Sequence, residues 1–104
     1  MRVRVNMGFD TIADALGDQT RRNILLKLLD HNPVKPLEAM ATHDTREDEK
    51  LQLIHTHLPK LDDMGYVTWD RENETIVKGP NWEAIEPVVR LLSDNRERIP
   101  SDTF

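Results

Sequence analysis

Residues 54–79, IHTHLPKLDDMGYVTWDRENETIVKG, change their period partway along. The first half spaces its apolar residues as a helix does. Gly65 follows as a stop. Two short β-prone runs come next, Tyr66 to Trp69 and Thr75 to Lys78, around the charged turn DRENE. This predicts a helix running straight into a small hairpin. Many DNA-reading domains end in such a unit. The residues just before it, DTREDEK, are mostly acidic.

Upstream, Phe9, Ile12, Ala13 and Leu16 share a helical face, and Gly17 suits its end. Asp18 can cap a second helix whose inward residues are Ile24, Leu25, Leu28 and Leu29. Asn32-Pro33 closes it. A short third helix is expected from Pro36, with Leu37, Met40 and Ala41 inward. Asp44 with Glu47, or Thr45 with Asp48, forms a capping box for a fourth helix ending near Met64. A last helix carries Trp82, Ile85, Val88, Val89 and Leu92, and Pro87 leaves its start at either Trp82 or Glu86. The expected fold is mainly α with a small β-hairpin: a winged helix-turn-helix in the order helix, helix, helix, helix, strand, strand, helix. Residues 1–8 are expected to form a flexible arm with Arg2 and Arg4. Residues 9–96 form the domain, and 97–104 a loose tail.

The 104 residues suffice for one modest core. There is no cysteine, which excludes disulfides, thiolate zinc sites and cysteine nucleophiles. No apolar run is long enough to span a bilayer. MRVRVNMGFD lacks the apolar stretch of a signal peptide, so a cytoplasmic location is expected. The net charge of −5 disfavours nonspecific nucleic-acid binding, since phosphate contacts dominate that affinity. It is unevenly spread, with residues 1–30 slightly basic and the rest acidic.

ALGDQTRRNILLKL resembles the opening of ArsR-type regulators, and HLPKLDDMGYV resembles their recognition-helix ending. The run from His55 to Val67 is also similar to a family of small haloarchaeal winged-helix domains. The resemblance implies an archaeal setting and a homodimeric transcriptional regulator, acting as a repressor on double-stranded DNA. The DNA would be bound through the helix 46–64 and the wing 66–78. It implies that positions 52, 53 and 56 reach bases and that the terminal helices pair across a two-fold axis. Relative to ArsR-type chains, ATHDTREDEK adds roughly a turn and a half of helix.

At about 100° per residue, Glu47, Leu51, Ile54, Leu58 and Leu61 share one face of the fourth helix. Thr45, Glu49, Gln52, Thr56 and Lys60 lie opposite, with Leu53 beside them. Gln52 and Thr56 suit base edges, Leu53 a thymine methyl, and Lys60 a phosphate. Thr45, Arg46 and Arg22 are further candidates, as are Arg71 and Lys78 in the wing. Arg21 is expected to pair with Asp18 or Asp14 instead. Phe9, Ile12, Leu16, Trp82, Ile85, Val89 and Leu92 exceed what one small core should bury, so they are expected at a dimer interface.

His55 and His57 diverge by about 200° and cannot chelate one ion together. No metal, cofactor or small-molecule ligand is expected. There is no G-x-S-x-G, phosphate loop or H-E-x-x-H, so no enzyme is expected. The alternative to DNA binding is a protein-interaction adaptor, supported by the acidic DTREDEK stretch.

Overall fold

A computed structural model describes residues 8–37 and 46–104. The first helix, α1, spans Phe9–Leu16, and α2 spans Gln19–Asp30. Asp18 caps α2 as expected: its Oδ1 accepts from the Thr20 N–H at 2.8 Å and the Arg21 N–H at 3.4 Å. Residues 36 and 37 are helical, but Met40, Ala41, Asp44 and Thr45 lie outside the described residues.

Helix α3 covers residues 47–63 in three pieces: α-helical Glu47–Gln52, a π turn over Leu53–His57, and α-helical Leu58–Asp63. The Glu49 carboxylate reaches back to accept from the Arg46 N–H at 2.9 Å, so the start is fixed by Arg46 and Glu49. Gly65 ends the helix at φ +82, where a Cβ would be strained. Its N–H bonds to the Asp62 carbonyl, and the Tyr66 N–H to that of Leu61. This crossed pair is a Schellman stop, which satisfies carbonyls that would otherwise lack partners.

Strands β1 (Val67–Asp70) and β2 (Thr75–Lys78) pair antiparallel, with Trp69 opposite Ile76. Val34 adds a bridge to Ile76, exchanging both backbone hydrogen bonds, and so ties the segment after α2 to the wing. Asp70 closes the hairpin turn by accepting from the Glu72 and Asn73 N–H groups and the Asn73 side-chain amide. The Asn73 amide bond is the main reason its carboxyl is held below the ordinary value. Helix α4 spans Trp82–Asp94, beginning at Trp82 with Pro87 inside it. The result is a mainly helical α+β arrangement with a two-stranded hairpin, compatible with a winged helix.

One core serves all these elements. Ile12 and Ala15 of α1, Ile24, Leu25 and Leu28 of α2, and Leu53, Leu58 and Leu61 of α3 meet Val67, Ile76, Trp82, Ile85 and Val89. Three expectations need correction. Leu53 is 3% exposed and Leu51 is 51% exposed, the reverse of the uniform wheel. The cause is the π turn: the Leu58 N–H bonds to the carbonyl of Leu53, five residues back. One residue is thereby absorbed, and Leu53 instead of Leu51 joins Leu58 and Leu61.

Second, Ile12, Trp82, Ile85 and Val89 are buried within a single chain. They are not free for a dimer interface, because α2 packs against both α1 and α4 and offers them a surface. Leu16 and Leu92 are half-buried, and Phe9 stays 66% exposed.

Third, the expected loose tail is docked. Its end, with a 3-10 turn over Ser101–Thr103, accepts from α2: Arg22 Nε donates to the Thr103 carbonyl at 2.8 Å and Gln19 Nε2 to that of Phe104 at 3.2 Å. The Phe104 ring packs on the core beneath the Arg96 guanidinium, 4.4 Å from its centroid.

Candidate nucleic-acid interface

The wing is locked to α3 at one end. Asp62 Oδ2 accepts from the Trp69 N–H at 2.8 Å, and Gly79 donates to the Tyr66 carbonyl at 3.0 Å. A Cβ at Gly79 would lie 2.5 Å from the Gly65 carbonyl oxygen, so only glycine fits this crossing. Helix and hairpin are therefore joined by hydrogen bonds at this end.

Gln52 and Thr56 are both exposed on α3, and the Thr56 hydroxyl donates to Gln52 Oε1 at 2.9 Å. These two present hydrogen-bonding groups from one helix edge, as base readout requires. Leu53 is not with them, having turned into the core. Thr45 lies outside the described residues.

The cations are largely engaged. Arg46 pairs with Asp48 at 2.6 Å, and Lys50 approaches Glu47 at 3.9 Å. Lys60 is 3.0 Å from Asp14 of α1. Arg22 spends its guanidinium on the carbonyls of Leu16, Asp102 and Thr103, which removes it as a phosphate ligand. In the wing, Arg71 stacks on Trp69 with 4.5 Å to the ring centroid and remains exposed. Lys78 lies over Trp82 at 5.4 Å. Exposed ion pairs are worth at most about 1 kcal/mol, so a phosphate can displace the Arg46 or Lys60 partner.

Glu47, Asp48 and Glu49 occupy the exposed first turn of α3. There they complement the helix dipole. Between α3 and the wing lies a cavity of about 260 Å³, lined by Pro36, Leu37, Ile54, Leu58, Trp69, Arg71 and Glu74.

Behind this surface sits a polar cluster that the sequence reading missed. Arg21 is 9% exposed and donates through Nε to the Ala15 carbonyl at 3.0 Å and through Nη2 to that of Asp14 at 2.9 Å. It bonds backbone rather than the expected carboxylates. Its Nη1 donates to His57 Nδ1 at 3.1 Å, within the π turn. His57 Nε2 lies 3.7 Å from Asp18 Oδ1. Burial holds the His57 pKa below its ordinary value; Asp18 opposes this and the Arg21 charge adds to it. For Asp18, burial disfavours the carboxylate, but His57 and the Thr20 and Arg21 N–H groups outweigh it, and the net shift is downward. A pairing 36 positions apart in the chain leaves no periodic signal.

Among the described residues, no three His, Asp or Glu side chains converge as a metal site, and no helix is long and apolar enough to cross a membrane. The fold and surface thus define a small α+β domain compatible with a winged helix. The chain belongs to the family described as Domain of unknown function (DUF7344), whose model matches residues 13–77. That span runs from within α1 to within β2. No curated protein and no solved structure matches the chain.

Proposed function

We propose that this protein is a sequence-specific DNA-binding transcriptional regulator of ArsR-like type, a repressor that reads double-stranded DNA with α3 and its wing. The observation that carries the reading is the exposed, mutually bonded Gln52–Thr56 pair on a helix locked to a hairpin bearing an exposed arginine. Gln52 and Thr56 face bases, and Arg71, Lys60, Lys78 and Arg46 meet phosphates. The acidic first turn weakens approach at low salt.

The regulator acts as a homodimer on a two-fold-symmetric site. Support comes from Phe9 and Leu91, which stay 66% and 61% exposed on α1 and α4. Large apolar groups at two neighbours of α2 suit contact with a second copy. The test is a mobility-shift titration against the protein's own upstream region and a scrambled duplex at several salt concentrations. Preference for the natural duplex that persists as salt rises supports the reading; equal binding or none contradicts it.

A second reading, a winged-helix protein adaptor, is favoured by one observation: Arg46, Lys50 and Lys60 of α3 each have a carboxylate partner within the chain. Failure of the titration with every duplex would bring it forward.

A further inference from the structure

Helix α3 carries two apolar stripes that share Leu58 and Leu61. In an unbroken α-helix, Leu51, Ile54, Leu58 and Leu61 fall on one face, being three or four residues apart. Leu53, five residues before Leu58, falls off it. The π turn inverts that choice, burying Leu53 and leaving Leu51 in solvent. The two arrangements bury the same kind of side chain. Hydrophobic gain therefore discriminates little between them, and α geometry is the commoner by far. Something else must favour the π form.

The candidate is the contact at the end of the turn. A guanidinium has no acceptor, so Nδ1 of His57 must accept from Arg21 Nη1. Arg21 is itself immobilised by the carbonyls of Asp14 and Ala15. The position of His57 is thus referred to the α1–α2 junction. We propose that α3 is a two-register element, and that the Arg21–His57 hydrogen bond holds the π register against a continuous α register.

In the α register, residues 58–63 stay in place while the preceding part of the helix turns by about 100°. Leu51 moves to the Ile54 stripe beside the cavity against Trp69, and Leu53 leaves the core. Gln52 turns with them. If α3 reads DNA as proposed above, this re-aims its base-contacting edge; the register change itself requires no DNA.

The bond makes the register sensitive to acid. A protonated imidazole has no acceptor, so protonation removes the bond and sets two cations 3.1 Å apart. Among the described residues, the charged groups facing His57 are Arg21 from α2 and Asp18 from the junction, and Asp18 offsets only part of the repulsion. Asp14, whose carbonyl holds Arg21, pairs its carboxylate with Lys60 of α3 at 3.0 Å. Burial already disfavours the charged ring.

The test is methyl NMR of the full chain with a soluble gadolinium chelate, at about pH 7.5 and at an acid pH where the His57 ring signals show it protonated. At the higher pH, relaxation enhancement is expected to be greater for Leu51 than for Leu53. At the lower, the ratio is expected to fall below one while Leu58 stays protected. His57→Gln keeps an acceptor and does not titrate, so its ratio should stay above one at both pH values. A parent ratio unchanged by pH overturns the proposal. So does joint exposure of Leu51, Leu53 and Leu58, which is unfolding rather than a change of register.

Discussion

Leu53 and Leu58 are five residues apart, yet both are buried and the N–H of one bonds to the carbonyl of the other. That relationship decides which face of α3 meets the core. Leu53→Ala should therefore destabilise the chain by up to about 2–5 kcal/mol, the range for a buried leucine, and by less where Leu51 turns in to replace it. Leu51→Ala should stay within about 0.5 kcal/mol, as for surface changes. Chemical denaturation of both variants checks this. A larger loss at Leu51 than at Leu53 would return α3 to a uniform helix.

A π turn amounts to one residue inserted into an α-helix. Deleting exposed His55 should restore α geometry while leaving Leu53 and Leu58 on a common face, now four apart. The expected loss is about 1 kcal/mol, a few degrees in melting temperature for a domain of this size. In a uniform α-helix the same deletion would rotate half the apolar stripe out of the core. A loss of several kcal/mol on thermal unfolding would contradict the observed register.

Stability should depend on pH through His57 and then Asp18. A histidine whose folded pKa lies below its ordinary 6.5 favours folding above that value. Its contribution is lost as pH falls from 6.5 through the folded pKa. Asp18, held below 3.8, has its contribution in full above that value and loses it as pH falls through its own folded pKa. Unfolding free energy followed from neutral to acid pH should thus fall in two stages, and His57→Gln should abolish the first. Asp18→Ala should in addition cost about 1 kcal/mol at neutral pH, from loss of the α2 cap. A single acid transition unaffected by His57→Gln would contradict this assignment.

The parts of the fold set by local chemistry were legible in the sequence. Asp18 announces a helix start and Gly65 a helix stop, because each acts on backbone groups within a few residues. The alternation around DRENE gave the hairpin for the same reason. The π turn was not legible, since Leu51 and Leu53 are both leucines and the sequence offers both stripes. What separates them is a buried arginine on another helix. The Val34–Ile76 bridge and the docking of Phe104 are likewise long-range, with no periodic trace. The same limit applied to the interface: Gln52 and Thr56 stayed outward, while Leu53 turned inward and Arg22 went to backbone carbonyls.

Burial of Ile12, Trp82, Ile85 and Val89 inside one chain sets what truncation should do. Removing residues 82–104 deletes part of the core, so the remainder should lose cooperative unfolding altogether. Ile85→Ala alone should cost about 2–5 kcal/mol. The proposed dimer predicts that Phe9→Asp with Leu91→Asp leaves stability nearly unchanged while shifting sedimentation from dimer to monomer. A folded, cooperatively melting chain 1–81 would contradict the core described here.

The proposed DNA surface is α3 with the wing. It is tested most directly by titrating parent, Gln52→Ala, Thr56→Ala and Arg71→Ala proteins against the natural upstream duplex and a scrambled one at matched salt. Gln52→Ala should weaken the natural duplex by about 1–3 kcal/mol and relax preference at one position. Arg71→Ala should weaken both duplexes alike and lower the salt slope by about one. All three variants binding the natural duplex as the parent does would contradict the claim, and the apolar cavity and paired charges of α3 would then mark a protein-binding face.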